Sequence, residues 1–190
     1  MSNTLNYYNE NAADYYHATL HLTPIDQICT FLNHLPAKGK ILDIGCGSGR
    51  DSMLFKNKGY EVTMVEPATE LADLVLKHTG ERPITMQAQD LNYIEEFEGV
   101  WACASLVHVP EEELSATIKK IHRALVKDGI FYCSFKKGTG TAVDSNGRLQ
   151  VYQTLQSLVN LCGEFKPLRV WLTKDYRSDK CEWVNIICRK

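Results

Sequence analysis

Apolar positions along this chain fall into two alternating rhythms. Short apolar runs at Ile41–Ile44, Tyr60–Val65, Pro83–Gln87, Val100–Ser105 and Ile130–Phe135 have the length and composition of buried strands. Between them, apolar residues recur three and four positions apart, the spacing of helices with one buried face. Ile25, Ile28, Cys29 and Leu32 form one such stripe, with Thr23 as N-cap, Pro24 at the first helical position and Pro36 to Gly39 as the stop. A second helix continues through Met53, Leu54 and Phe55 to Lys58, closed by Gly59, and a third covers Pro67 to His78. Pro110 opens a fourth, with Glu111, Glu112 and Glu113 in its first turn and Leu114, Ile118, Ile121, His122 and Leu125 on its buried face. Tyr152 to Cys162, ended by Gly163, reads as a fifth.

The ending breaks this alternation. Leu168–Leu172 and Glu182–Cys188 are strand-like, but the Thr173–Cys181 connection is too short for a parallel crossover, so they predict an antiparallel hairpin. The expected fold is therefore α/β: a mostly parallel seven-stranded sheet, helices on both faces and a C-terminal antiparallel hairpin. Lys136 to Arg148, with Gly138, Gly140 and Gly147, reads as a mobile loop. Tyr7 to His17 is dense in tyrosine at helical spacing, which suits either a lid or a helix packed on the domain edge.

Candidate chemistry concentrates where the first strand breaks into Gly45-Cys46-Gly47-Ser48-Gly49. Glycines there let a ligand lie against bare backbone and face a helix N-terminus. The spacing is G-x-G-x-G rather than the dinucleotide G-x-G-x-x-G, Arg50 follows, and Asp43 stands at the entrance of the turn. A carboxylate at that position repels pyrophosphate and suits a cationic ligand such as an ammonium or a sulfonium. Glu66, about 20 residues on and at a strand end, is placed for ribose hydroxyls, a use shared by several adenosine-binding families. Asp90 follows the third strand, within reach of an adenine amino group, and His108 follows the fourth, as a base or a hydrogen-bonding guide beside the reacting atom. Lys136, Lys137 and Arg148 could draw an anionic substrate.

Composition narrows the classes. At 190 residues with 44% hydrophobic content, one domain accounts for the chain. A net charge of −2 provides no field for nucleic acid or anionic membrane. No apolar run approaches the roughly 20 residues of a membrane span, and the polar start Met1 to Asn6 lacks a signal peptide's apolar segment, so a cytoplasmic protein is expected. Seven cysteines without a C-x-x-C pair indicate neither a metal site nor a disulfide framework, and Cys46 is the thiol best placed for reactivity. Oligomeric state is not encoded in any of these features.

The succession Ile41-Leu42-Asp43-Ile44-Gly45-Cys46-Gly47-Ser48-Gly49, Glu66, Asp90-Leu91 and Leu106-Val107-His108-Val109-Pro110 resembles the class I S-adenosylmethionine (SAM)-dependent methyltransferases over nearly the whole chain. Gly49-Arg50-Asp51-Ser52, Trp101 to Leu106 and Glu182-Trp183-Val184-Asn185 are similar to small bacterial methyltransferases related to tellurite resistance. The resemblance implies a Rossmann-like catalytic core at 37–190, a helical lid at 1–36, SAM as cofactor and S-adenosylhomocysteine (SAH) as product. It implies that Asp43, Gly45, Gly47 and Gly49 hold the methionine part, with Arg50 and Ser105 nearby, Glu66 and Pro67 the ribose, Asp90 and Leu91 the adenine, and Tyr15 the roof. Tyr8, His108, Lys136, Arg148 and Arg177 become substrate contacts, with His108 the first choice for proton removal. Ser105-Leu106-Val107-His108 replaces the Asn-Pro-Pro-Tyr type of motif, which points to a small-molecule acceptor, such as a tellurite- or selenite-like oxyanion or a small metabolite. A SAM-binding regulator without turnover and an NAD-dependent oxidoreductase are the alternatives.

Overall fold

The computed structural model describes residues 3–190, the side chains of 178–180 excepted; Met1 and Ser2 of the expected lid lie outside the described residues. Four parallel strands form the centre: β1 (Lys40–Ile44), β2 (Glu61–Val65), β3 (Phe97–Ala102) and β4 (Leu125–Lys137). They are ordered β2-β1-β3-β4, and β6 (Leu149–Gln153) runs parallel to the last residues of β4. The antiparallel ending is present as β7 (Lys166–Asp175) and β8 (Ser178–Arg189), with β8 inserted between β4 and β7.

Period-2 alternation divides the strand residues between two cores. Leu42, Ile44, Val100, Ala102, Phe131, Cys133 and Phe135 face one side with Leu114, Ile118 and Ile121 of α6 (Glu111–Ala124) and Leu158 of α7 (Leu155–Leu161). Ile41, Trp101, Ile130 and Tyr132 face the other, against Ile28 and Phe31 of α3 (Ile25–Leu32) and Phe55 of α4 (Arg50–Asn57). Trp101 is the centre of this second core, stacked on Tyr132 at 4.0 Å and held among Phe31 and Phe55. No helix among the described residues is long and apolar enough to cross a membrane.

Five expectations need correction. Pro83 to Gln87 is not a strand but a single bridge, Ile84 to Val65; Pro83 has no N–H to donate, and Ile84 lies exposed beyond the sheet edge. Lys136 to Arg148 is not an open loop: β4 runs on to Lys137, and β5 (Thr141–Val143) pairs with β6 as a hairpin, giving an eight-stranded sheet. Gln150, Val151 and Gln153 of β6 are buried, so Tyr152 belongs to this strand, and α7 begins only after Thr154, whose side chain and that of Ser157 form a capping box. In the N-terminal segment, α1 (Asn3–Glu10) and α2 (Ala12–Thr19) meet at Asn11. Pro24 takes the N-cap position assigned to Thr23.

Candidate active site

The carboxyl ends of β1, β2 and β3 converge on the glycine turn. Gly45 N and Cys46 N both donate to Val65 O, at 2.8 and 3.0 Å, which fixes the turn to the end of β2. Gly45 has φ +67°, and a Cβ there would stand 2.6 Å from Ser105 Cβ. Gly47 has φ +57°, and the Tyr15 ring lies 3.5 Å from where its Cβ would be. Gly45 therefore requires glycine for both backbone conformation and close approach, and Gly47 for backbone conformation. Gly49 is the left-handed N-cap of α4.

Buried acids surround this turn. Glu66 Oε2 accepts from Gly47 N at 2.9 Å and Oε1 from Ala68 N at 3.0 Å; burial raises its carboxyl to about 7 despite these donors. Asp43 Oδ2 accepts from Ser52 Oγ at 2.5 Å, and burial, then the neighbouring Asp51, raises Asp43 to about 7. Asp51 is better satisfied: Arg50 Nε donates to Oδ1 at 2.7 Å, while Arg50 Nη2 and Trp101 Nε1 both donate to Oδ2 at 3.0 Å. Arg50 Nη1 donates to Thr19 O, so the guanidinium ties the turn to the end of α2 rather than offering itself to a ligand. Burial also raises the Cys46 thiol, which makes it a packed bystander.

Two cavities open beside the turn and share only Tyr15, Gly45, Gly47 and Ala104. The first is lined by Glu66, Pro67, Gln87, Ala88, Gln89, Ser105, Leu106, His108 and Tyr8, among others. Ser105 Oγ is buried there without a hydrogen-bond partner. The second is lined by Asp43, Arg50, Gln27, Cys103, Tyr132, Ser134, Asn185 and residues 173–177, which include Arg177. Asp90 is exposed and outside both cavities, and the Leu91 side chain belongs to the core; the cavity wall where they were expected consists of Gln87, Ala88 and Gln89. A 3-10 turn at Ala88–Asp90 produces this offset by rotating Asp90 outward. Lys136 is half-buried on β4 and lines neither cavity.

His108 sits in a 3-10 turn past β3 and is fixed through both ring nitrogens. Nδ1 lies 2.6 Å from Leu149 O, and Nε2 lies 2.8 Å from Tyr8 Oη. A carbonyl only accepts, so Nδ1 carries the proton, and the neutral ring accepts the Tyr8 hydroxyl at Nε2. Burial lowers His108 to about 4; the Leu149 carbonyl opposes this shift, and the Arg148 and Lys136 charges add to it. Its basicity is thus weak. Arg148 pairs with Asp144 at 2.8 Å, donates to Tyr8 Oη at 3.3 Å and lies over the Tyr7 ring at 4.7 Å. Leu149 N donates to Thr4 Oγ1, so the β5–β6 hairpin clasps α1 over the first cavity. This clasp was hidden because its partners lie more than 100 positions apart in sequence. Gln27 was missed as well, although its place four residues before Phe31 on the buried stripe of α3 was readable.

Residues 42–133 match the family model described as a methyltransferase domain. The Bacillus subtilis protein YqeM, which carries a methyltransferase name, is 32% identical over 136 residues, covering 65% of this chain and 55% of its own length. The ubiquinone biosynthesis O-methyltransferase of Actinobacillus pleuropneumoniae is 31% identical over 107 residues, covering 50% of this chain and 44% of its own. The chain thus spans about half the length of the curated relatives it matches. In fold it is similar to the 1,6-didemethyltoxoflavin-N1-methyltransferase of Burkholderia thailandensis, solved with 1,6-didemethyltoxoflavin and SAH: TM-score 0.79, 23% identity, 97% of this chain and 88% of that one. Haemophilus influenzae TehB shares the fold at TM-score 0.73 and 14% identity, over 90% of this chain and 64% of that one.

Proposed function

We propose that this chain is a class I SAM-dependent methyltransferase that transfers a methyl group from SAM to a small-molecule acceptor, a reading supported by the match of residues 42–133 to the methyltransferase-domain model and by the shared fold. The observation that carries this reading is the pair of cavities meeting at the Gly45–Gly47 turn beneath Tyr15, with the buried carboxyls of Asp43 and Glu66 both raised to about 7 beside it. Carboxyls held neutral by burial suit a cationic ligand, whose charge restores their ionised form. The two cavities adjoin across this turn, which places cofactor and acceptor side by side.

In this reading Glu66 and Pro67 receive the ribose, Gln87 to Gln89 the adenine edge, and Asp43 with the glycine turn the methionine part. The unpartnered Ser105 hydroxyl supplies one further hydrogen bond. When bound, the cofactor would supply an activated methyl on a sulfonium to a lone pair of the acceptor, with SAH as the other product. The chain excludes water with residues 3–36 and orients the acceptor. His108, neutral across the physiological range, serves better as the group that fixes the Tyr8 hydroxyl than as a strong base.

The acceptor is a small metabolite or an oxyanion of the tellurite or selenite kind. Nucleic acid and membrane are not proposed as partners. Seven cysteines without a disulfide support a reducing compartment, the cytoplasm. Calorimetric titration with SAM, SAH and NAD tests the reading: micromolar binding of both adenosyl ligands and none of NAD is expected, and failure of both adenosyl ligands would overturn it.

A further inference from the structure

The second cavity separates the candidate acceptors by charge. Its two arginines are already paired. Arg50 is bound to Asp51 and Thr19 O, and Arg177 to Asp175, which also accepts from Trp183 Nε1 at 2.8 Å. Lys174, the remaining cation of the lining, is exposed at the rim. An oxyanion needs a buried unpaired cation or a cluster of free side-chain donors to replace its hydration, and among the described residues these walls provide neither.

The other polar groups of the lining are largely committed as well. Ser134 Oγ accepts from Ala104 N, and Asn185 accepts from Tyr132 Oη while donating to Trp171 O, Trp183 O and Thr173 Oγ1. Gln27 stands apart. It is 5% exposed, and its Oε1 has no partner. A buried acceptor left unmatched is costly, and a bound N–H or O–H removes that cost. Around it the walls are aromatic: Tyr15, Tyr132, Tyr176 and Trp183.

Resting on the methyltransferase reading above, we propose that the part of the second cavity lined by Gln27, beyond the Asp43 edge given to the methionine part, holds the methyl acceptor, and that this acceptor is a neutral, planar molecule whose N–H or O–H is received by Gln27 Oε1. Gln27 is a positioning contact on the acceptor, away from the cofactor cavity. Aromatic walls fit a flat ring, the internally paired charges fit a neutral one, and the unmatched oxygen selects a donor.

The test uses SAH-saturated protein and three probes followed by calorimetry: benzimidazole, a neutral ring with one N–H; 1-methylbenzimidazole, which lacks it; and selenite. Benzimidazole is expected to bind saturably, and 1-methylbenzimidazole about tenfold more weakly, the value of one hydrogen bond to a buried group. Gln27→Leu and Gln27→Met should remove that difference between the two rings while leaving SAH affinity within about twofold of the parent. The proposal is overturned if benzimidazole shows no saturable binding by about 10 mM, if selenite binds instead, or if the two rings keep their tenfold difference in the Gln27 variants. It is equally overturned if those variants lose SAH, since the cavity then belongs to the cofactor. Failure of SAH to bind the parent protein at the outset is a separate result, and it counts against the methyltransferase reading itself.

Discussion

Cofactor affinity should rise steeply with pH below neutrality, because the site keeps its acids protonated until a cation arrives. Asp43 and Glu66 both stand at about 7, against about 4 for ordinary carboxyls. A carboxyl with pKa about 7 is ionised in roughly one molecule in thirty at pH 5.5 and in one of two at pH 7. If the ligand's positive charge returns one such group to its ordinary range, affinity rises about fifteenfold over that interval, and more if both groups respond. The sign for stability is opposite in the free protein. The folded state holds extra protons between about pH 4 and 7, so these groups contribute stability that is lost as pH rises through 7. Ligand stabilisation therefore grows just where the free protein weakens.

Calorimetry with SAH at pH 5.5, 6.2 and 7, in two buffers of different ionisation enthalpy, reads both the affinity and the protons released. The upper limit avoids the ligand's own α-amino group, which titrates near 8. Asp43→Asn should weaken binding at pH 7 by about tenfold or more, through loss of a charge-assisted contact, and should reduce proton release by about one at pH 5.5 and about half at pH 7. Constant affinity across this range, or an unchanged slope in Asp43→Asn, would refute the assignment of Asp43 to a cationic ligand.

Further outcomes follow from single contacts. Gly45→Ala places a Cβ 2.6 Å from Ser105 Cβ at φ +67°, and should cost about 2–4 kcal/mol from backbone strain plus overpacking, read as a lowered denaturation midpoint with loss of SAH binding. Asp51→Ala strands the Arg50 charge and the Trp101 N–H, and should destabilise by about 3 kcal/mol, measured by urea unfolding. Arg148→Ala removes the ion pair to Asp144 and the contacts to Tyr7 and Tyr8; amide exchange in α1 should accelerate about tenfold while exchange in β1 is unchanged. Once an acceptor is known, its rate profile should lack a His108 inflection between pH 5.5 and 8, because His108 stands at about 4.

Most of the fold was readable because its signals are local. The β1 run, the glycine triplet and the stripe of α3 each lie within a dozen residues, and the short Thr173–Cys181 connection forced the antiparallel ending. Tertiary pairing overrode local signals at two places. Pro83 to Gln87 has strand composition but reaches its neighbour through one bridge only. Lys136 to Arg148 has loop composition, yet Gly138, Gly140 and Gly147 serve its bends, with β5 between Gly140 and Gly147 and β6 just beyond. In the site, Asp43 and Glu66 were legible as acids at strand ends. Their titration was not, because it depends on burial created by distant segments.

The same hairpin explains why the position after β3 carries a histidine whose basicity is spent. Leu149 pairs with Val143 on one side, and its own N–H and C=O reach Thr4 and His108. One backbone unit thus holds the lid helix and the imidazole in a common register. The carbonyl fixes the proton on Nδ1, which leaves Nε2 free to accept the Tyr8 hydroxyl. Protonating Nε2 would reverse that hydrogen bond, leaving Tyr8 Oη to accept from both His108 and Arg148, and would place a cation beside Arg148 and Lys136, a cost consistent with the lowered basicity. Below about pH 4 the imidazolium's repulsion of Arg148 should therefore loosen the clasp, so α1 loses its protection against exchange in acid while β1 keeps its own.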